Sequence, residues 1–468
     1  MSLVTKASIA ATVTAMKQAH LNDGPASVAT RMDRLDRAVR LLSENHAALV
    51  QAISADFGNR SAYQTMAADI MTPIKSLRYA QEHLQAWMQA DEISAVEPGV
   101  QARVQYQALG VVGIISPWNF PLNLAFGPMA GVLAAGNRAL LKPSELTPAT
   151  AQLLAELIAR YFDPMEVGTV LGDADVGAAF SAQAFDHLVF TGSTAVGRHV
   201  MRAAADNLVP LTLELGGKSP VLVDIDADVA MAAERTLTIK SFNAGQICLS
   251  PDYMLMPIAA RDDFVAHAKR FMATAFPTVQ DNADYTSIIS ARHFARLQSL
   301  LDDARSKGAT VISLAPAGEP EADAATRKMA PVLVLDARDD MLVMQEELFG
   351  PILPVMTYGD RQEALAYINA HPRPLAAYYF GADAARQQHF IDNTVSGGVV
   401  INDVMTHASI EALPFGGVGP AGMGAYHGVH GFRRFSHAKA VVLQGSESGQ
   451  RLRAPYREKL EKLTQMLA

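Results

Sequence analysis

The sequence predicts an α/β protein built around a parallel sheet, and three patterns carry that expectation. Short apolar runs recur from Gly110 onward with helical stretches between them. The first hundred residues repeat their apolar side chains at helical spacing, and residues 102–108 alternate in character. Buried apolar strands that alternate with helices imply a parallel sheet of the nucleotide-binding kind.

Taken in order, Met32, Leu35, Val39 and Leu42 share one helical face, as do Leu49, Ile53 and Phe57, and Gly58 then offers a stop signal. Ala102, Val104, Tyr106 and Ala108 face one way, with Arg103, Gln105 and Gln107 opposite, which predicts a half-exposed strand. Apolar runs at 111–115, 139–141, 169–171, 188–190 and 211–215 supply the strands of the alternating region. The best helix between them spans 150–162, where Leu153, Leu157 and Tyr161 lie beside Leu154, Ile158 and Phe162. Thr147 is its expected cap and Pro148 suits its first turn. A second α/β region follows over 216–430. Residues 441–443 read as a further short strand; strands this far apart can pair as an arm that reaches a neighbouring subunit. The last dozen residues read as a short amphipathic helix. There are no internal repeats.

The 468 residues include 50% hydrophobic and 18% charged types, an ordinary soluble globular composition. A net charge of -8 without Lys/Arg-rich runs disfavours nucleic acid or an anionic membrane as partner. A single cysteine excludes an intrachain disulfide framework and a Cys-rich zinc site, and suits a reducing compartment. The expectation is a cytoplasmic enzyme without a membrane span and without a metal.

Chemistry-bearing residues sit in polar or glycine-rich turns. Cys248 ends Asn243-Ala244-Gly245-Gln246-Ile247-Cys248. Free cysteines are often buried core residues, yet these neighbours make a turn, not an apolar face. Glu214 in Leu213-Glu214-Leu215-Gly216-Gly217-Lys218 reads either as a solvated strand end or as a general base with raised pKa, and the glycines after it allow close approach to a ligand. Pro117-Trp118-Asn119-Phe120-Pro121 follows the first strand of the alternating region. It is either a rigid turn or a ligand-lining loop in which the Asn119 amide meets a developing oxyanion. Phe190-Thr191-Gly192-Ser193-Thr194-Ala195-Val196-Gly197 joins a strand to a helix, as a phosphate site or a packing turn. Lys142-Pro143-Ser144-Glu145 ends another strand, with Lys142 and Glu145 placed for adenosine ribose hydroxyls or standing as surface charge.

Together and in this order, these motifs resemble the aldehyde dehydrogenase superfamily over nearly the whole chain. The likeness rests on PWNFP at 117–121, KPSE at 142–145, FTGSTAVG at 190–197, LELGGK at 213–218, NAGQIC at 243–248, EELFGP at 346–351 and PFGGVG at 414–419. MGAYHG at 423–428 and Phe435-Ser436-His437 resemble the class 3 branch. Asp56-Phe57-Gly58-Asn59-Arg60-Ser61 and Trp87-Met88 resemble its bacterial coniferyl aldehyde dehydrogenases. Ile247 departs from the Thr common in relatives, and Ala421 from a common Ser.

The resemblance implies a Rossmann-type NAD-binding domain (1–95 and 110–215), an α/β catalytic domain (216–430), a β-arm for oligomerisation (96–109 and 436–446) and a C-terminal tail (447–468). Cys248 would be the nucleophile, with a thiolate reachable near neutral pH. Asn119 and the Cys248 N–H would hold the oxyanion, and Glu214 would activate the hydrolytic water. Ser116, Pro117, Trp118, Leu215 and Gly216 would border the cofactor. Lys142 and Glu145 would bind its adenosine ribose, Thr191, Gly192, Ser193 and Gly197 its pyrophosphate, and Glu347 and Phe349 its nicotinamide end. Tyr63, Ile247 and His407 are the expected substrate contacts, and no Arg stands out for a substrate carboxylate. The implied cofactor is NAD, with NADP possible; the substrate is a hydrophobic or aromatic aldehyde and the assembly a homodimer. Two rivals remain. A CoA-acylating semialdehyde dehydrogenase would commonly lack the Glu214 base. A non-catalytic protein on the same scaffold would have a degraded site, whereas Cys248, Glu214 and Asn119 are all present.

Overall fold

The computed structural model describes residues 5–94, 99–446 and 452–467. The apolar runs form one sheet in the order Gly422–Met423, Leu211–Leu215, His187–Gly192, Val111–Ile115, Arg138–Lys142, Val167–Thr169. The last five strands are parallel. The chain starts in the middle at Val111–Ile115, winds outward one way, then returns to the other side. That reversal leaves a crevice at the carboxyl ends, where ligands bind in such sheets. Ile115 lies level with both Lys142 and Phe190, so Ser116, Lys142 and Thr191 emerge together at that edge.

Three local expectations change. Gly422–Met423 adds a sixth strand, antiparallel to Leu213 and Glu214; two residues are too few to show a period. The strand expected at 169–171 is Val167–Thr169, because Gly168 interrupts the apolar run that would have revealed it. Thr147 does not cap the next helix, Pro148–Tyr161: its hydroxyl turns back to the Ser144 carbonyl. Asp56, from the last turn of the His46–Phe57 helix, does so instead. Its carboxylate accepts from Ala149 N at 2.9 Å, Thr150 N at 2.8 Å and the Thr150 hydroxyl at 2.6 Å.

The N-terminal segment is helical as expected, with Lys6–Asp23, Val28–Glu44, His46–Phe57 and Thr72–Trp87. Leu35, Val39 and Leu42 are buried together, and the His46–Phe57 helix stops at Gly58 in the left-handed region. The later α/β region builds a seven-stranded sheet in the order Thr310–Ser313, Val332–Leu335, Ile352–Tyr358, Pro251–Pro257, Ser219–Val223, Ala376–Phe380, Gly398–Ile401. It is parallel except for the Thr310–Ser313 edge.

The two separated half-exposed strands do pair: Val100–Ala108 runs antiparallel to Ser436–Gln444, with Val442 opposite Ala102. Asp91–Ile93 adds a third strand, before the start of the expected arm. Residues 95–98, and 447–451 of the expected tail, lie outside the described residues. The amphipathic C-terminal helix is Arg457–Leu467 and buries none of its residues. No helix among the described residues is long and apolar enough to cross a membrane.

Candidate active site

Cys248 is placed by a strained turn. The Val229–Ser241 helix ends in Phe242–Gly245, where Asn243 and Ala244 take φ of 50° and 51°. Gly245 follows at φ 70°, and a Cβ there would lie 2.4 Å from the Gly350 carbonyl, so only glycine fits. The turn is held from its own sequence. The Gln246 amide donates to the Asn243 carbonyl at 2.9 Å and the Ser287 carbonyl at 3.1 Å, and its oxygen accepts from Ile289 N at 2.9 Å. Backbone strain of this kind clusters at functional sites and persists only where such contacts fix it.

The half-buried Cys248 lines a cavity of about 380 Å³. Phe120, Phe242, Phe415, Tyr426 and Ile247 line it too, with Met405 and Val404 beside them. Arg235 also lines it, bonded to the Asn402 carbonyl, a cation the sequence reading did not identify. Burial, with the nearby Glu347 and Glu214 carboxylates, pushes the Cys248 thiol up to about 12. Burial and these two carboxylates therefore act against the expected thiolate near neutral pH.

Glu214 is not a solvated strand end. It is 3% exposed, both carboxyl oxygens lack a hydrogen-bond partner among the described residues, and burial raises its pKa well above the usual range. Asn119 is buried, and its amide donates to the Gln246 carbonyl at 3.2 Å, close beside Cys248 in the chain; one amide N–H serves that bond. The Asn119 carbonyl accepts from Arg60 at 3.0 Å and from the Asn243 amide at 3.2 Å. Arg60 in turn meets Asp69 at 2.7 Å with both side chains fully buried, and Asp69 accepts from Leu122 N and Asn123 N. Sequence reasoning missed this brace. Its signal was the acid Asp69 inside a mostly apolar helical stretch.

Glu347 lies across Gly216, where a Cβ would come within 2.1 Å of its carboxylate. Burial and Asp252 raise its pKa to about 8, against a bond from the Gly217 N–H. Its loop is tied down by Arg296, which donates to the Leu348 carbonyl at 2.9 Å, and by Asp252, which accepts from Leu348 N at 3.0 Å. Phe349 and Trp118 meet edge to face at 5.3 Å.

The edge of the six-stranded sheet carries groups suited to a dinucleotide. Ser193 caps the Thr194–Ala205 helix, whose first-turn N–H groups make an anion site. A Cβ at Gly197 would strike Leu215 at 2.7 Å, so glycine lets this helix approach its strand. Ser116 Oγ, Thr191 Oγ1 and Glu347 Oε1 are buried without hydrogen-bond partners among the described residues. Lys142 is buried and pairs with the half-exposed Glu145 at 2.7 Å. Unpaired buried polar atoms converging on one crevice fit a hydroxyl- and phosphate-rich ligand.

Two expected substrate contacts fall elsewhere. Tyr63 is 75% exposed and does not line the cavity, since Gln64 takes the inward face of its short turn. His407 stands against Gly398 and stacks on Phe415 at 6.3 Å, also outside the lining. The imidazole that does line the cavity is His427. Trp87 packs on Phe432 and His83.

A model of the aldehyde dehydrogenase family matches residues 1–441. The coniferyl aldehyde dehydrogenase of Pseudomonas sp. (strain HR199 / DSM 7063) is 58% identical over 454 residues, covering 97% of this chain and 94% of that one. A substrate-bound structure of Staphylococcus aureus AldH superposes with a TM-score of 0.92 at 33% identity, over 98% of this chain and 99% of that one. A mutant of the P. syringae indole-3-acetaldehyde dehydrogenase AldA, in complex with NAD+ and IAA, reaches a TM-score of 0.85 at 25% identity, over 94% and 89%.

Proposed function

The chain belongs to the aldehyde dehydrogenase family, and from that premise we propose that it oxidises arylpropenals of the coniferaldehyde type to their acids, with Cys248 as nucleophile. The observation that carries this reading is the cavity itself: a thiol at the wall of an apolar space lined by Phe120, Phe242, Phe415 and Tyr426. Enclosing a ring there contributes about 25 cal/mol per Å² of apolar surface, an advantage of several kcal/mol over a two-carbon aldehyde.

The Cys248 thiol gives up its proton to water as Sγ attacks the carbonyl carbon; the carbonyl π bond breaks and its oxygen gains negative charge, which the free Asn119 amide N–H and the Cys248 N–H would stabilise. Removing one such donor typically raises a barrier by about 2.7–4 kcal/mol. A nicotinamide dinucleotide, when bound, supplies the hydride acceptor that turns the tetrahedral adduct into a thioester. Glu214 takes a proton from water as its oxygen attacks the thioester; the acid forms and the thiolate leaves. Ser116, Lys142, Thr191, Ser193 and Glu347 are the residues that would hold the dinucleotide, with Pro117, Trp118, Gly192, Gly197, Leu215, Gly216 and Phe349 bordering it. NAD would be the preferred form, because the Glu145 carboxylate would accept from a ribose 2′-hydroxyl and repel a 2′-phosphate. The working unit is a homodimer.

The test is a panel of coniferaldehyde, benzaldehyde, hexanal, acetaldehyde and succinic semialdehyde with NAD and NADP, each with and without CoA. Coniferaldehyde with NAD should give the highest kcat/KM, and CoA should add nothing. Acetaldehyde or succinic semialdehyde at the head of the ranking would sink the substrate reading. Obligatory CoA would favour the acylating alternative.

A further inference from the structure

Behind one wall of the substrate cavity lies a second, much smaller void of about 10 Å³, bordered by Ser76, Trp87, Glu411 and His427. His427 borders both spaces. Two of the polar groups around this void are incompletely satisfied. Glu411 is 4% exposed; one carboxyl oxygen accepts from the Ser76 hydroxyl at 2.7 Å and the other has no partner. His427 Nδ1 is buried and, like that oxygen, has no partner among the described residues. Buried polar atoms are nearly always hydrogen-bonded to protein or water, and a space of this size holds about one water.

The imidazole is also held in place. Phe415 and Tyr426 exchange both backbone hydrogen bonds at 2.8 Å. The His427 ring then stacks on Phe415 at 5.0 Å and 18°. Neighbouring Gly428 packs so tightly on the Glu411 carbonyl that a Cβ would come within 2.5 Å of it. This fixes the ring in the cavity wall, and the Glu411 residue borders the same small void that the ring does.

We propose that His427, oriented by Glu411, is the hydrogen-bond acceptor that recognises the phenolic hydroxyl of a 4-hydroxylated arylpropenal. The inference rests on the substrate reading above and assigns its selectivity to a pair of residues. A neutral imidazole donates from one nitrogen and accepts at the other, and a carboxyl partner decides which is which. With the donor directed toward Glu411 through a water in the void, the second nitrogen offers a lone pair to the substrate. Burial keeps the ring neutral, with its pKa lowered to about 4, so the acceptor persists at neutral pH. The hydroxyl of a free phenol meets that lone pair, and a methyl ether has no proton to give.

The experiment compares kcat/KM for coniferaldehyde, its O-methyl ether (3,4-dimethoxycinnamaldehyde) and hexanal at neutral pH. The enzymes are wild type, His427→Phe, His427→Asn, Glu411→Leu and Glu411→Gln. Wild type should prefer the phenol to its ether by about tenfold, the discrimination one such bond supplies. His427→Phe and Glu411→Leu should bring that ratio close to one, while His427→Asn, which keeps an acceptor, and Glu411→Gln should restore part of it. A wild-type ratio near one, or a ratio unmoved in His427→Phe and Glu411→Leu, overturns the proposal. So does an equal loss on both aryl substrates, which is what a merely structural role would give. If His427→Phe does not fold, the two Glu411 variants decide by the same ratio. The rank of hexanal against both aryl aldehydes tests the underlying substrate reading separately.

Discussion

Burial and two neighbouring carboxylates push the Cys248 thiol up to about 12, which favours the protonated form at neutral pH. The thiolate fraction then climbs about tenfold for each pH unit, because the thiolate is the reactive form. Iodoacetamide inactivation of the ligand-free enzyme should rise about tenfold per unit from pH 7 to pH 10 without levelling off. A plateau near the ordinary cysteine value would contradict the geometry. Glu214 makes a second statement at this scale. Its folded pKa is raised above the unfolded value, so its contribution to stability is full at acid pH and is lost as pH rises through the folded value. Glu214→Gln removes that loss, so the variant should gain Tm on wild type at pH 9 relative to pH 5. If Glu214 is also the base, rapid mixing should give a full burst of reduced cofactor followed by slow turnover. An unchanged steady-state rate would contradict the basic role.

At the scale of elements, the loop that carries Asn119 depends on a brace from another part of the chain. Arg60 and Asp69 form a fully buried pair, and each also bonds the 119–123 backbone. Replacing one member strands the other charge in the interior, which typically costs 3–5 kcal/mol. Arg60→Met should therefore lower the urea midpoint by an amount equivalent to about 3–5 kcal/mol. A change below about 1 kcal/mol would mean that Asp69 is neutral or rehydrated in the variant. This brace marks the boundary of what the sequence made legible. The strands Val111–Ile115 and Leu211–Leu215 were readable to the residue, because each is a mostly apolar run of five residues bounded by Gly, Ser or Pro. The Cys248 turn and the Thr191–Gly197 loop were readable from local glycines and hydroxyls. The Asp56 cap, the Gly422–Met423 strand and the void behind His427 were not. Each joins residues far apart in sequence, and none has a local period to betray it. The cavity wall fails to show for the same reason: Phe120, Phe242 and Phe415 come from three separate segments, and exposure alone separates Tyr63, which resembles a pocket residue, from Tyr426, which is one.

At the scale of the whole molecule, the three-stranded arm is unfinished. Ser436–Gln444 is an edge strand of nine residues, bonded on one side to Val100–Ala108. Edge strands offer unpaired N–H and C=O groups to a partner, and proteins usually protect them with bulges, charges or a covering element. Here Val442 is 54% exposed and Leu443 48% exposed, side by side and so on opposite faces. Leu460 and Leu463 of the C-terminal helix are exposed as well, so this part of the chain leaves much apolar surface uncovered. A second copy of the chain is the partner we propose, since pairing across a two-fold axis would extend the sheet, satisfy the free backbone edge and bring the strand's apolar side chains against the partner. Sedimentation equilibrium should then give twice the chain mass at micromolar concentration. Val442→Lys and Leu443→Lys, made separately, should each weaken the dimer by at least about tenfold, the effect of burying one unpaired charge in place of an apolar side chain. A monomeric wild type rules the arm out as a self-association device. A dimer indifferent to both lysines places the interface on another surface and leaves the exposed strand for a different partner.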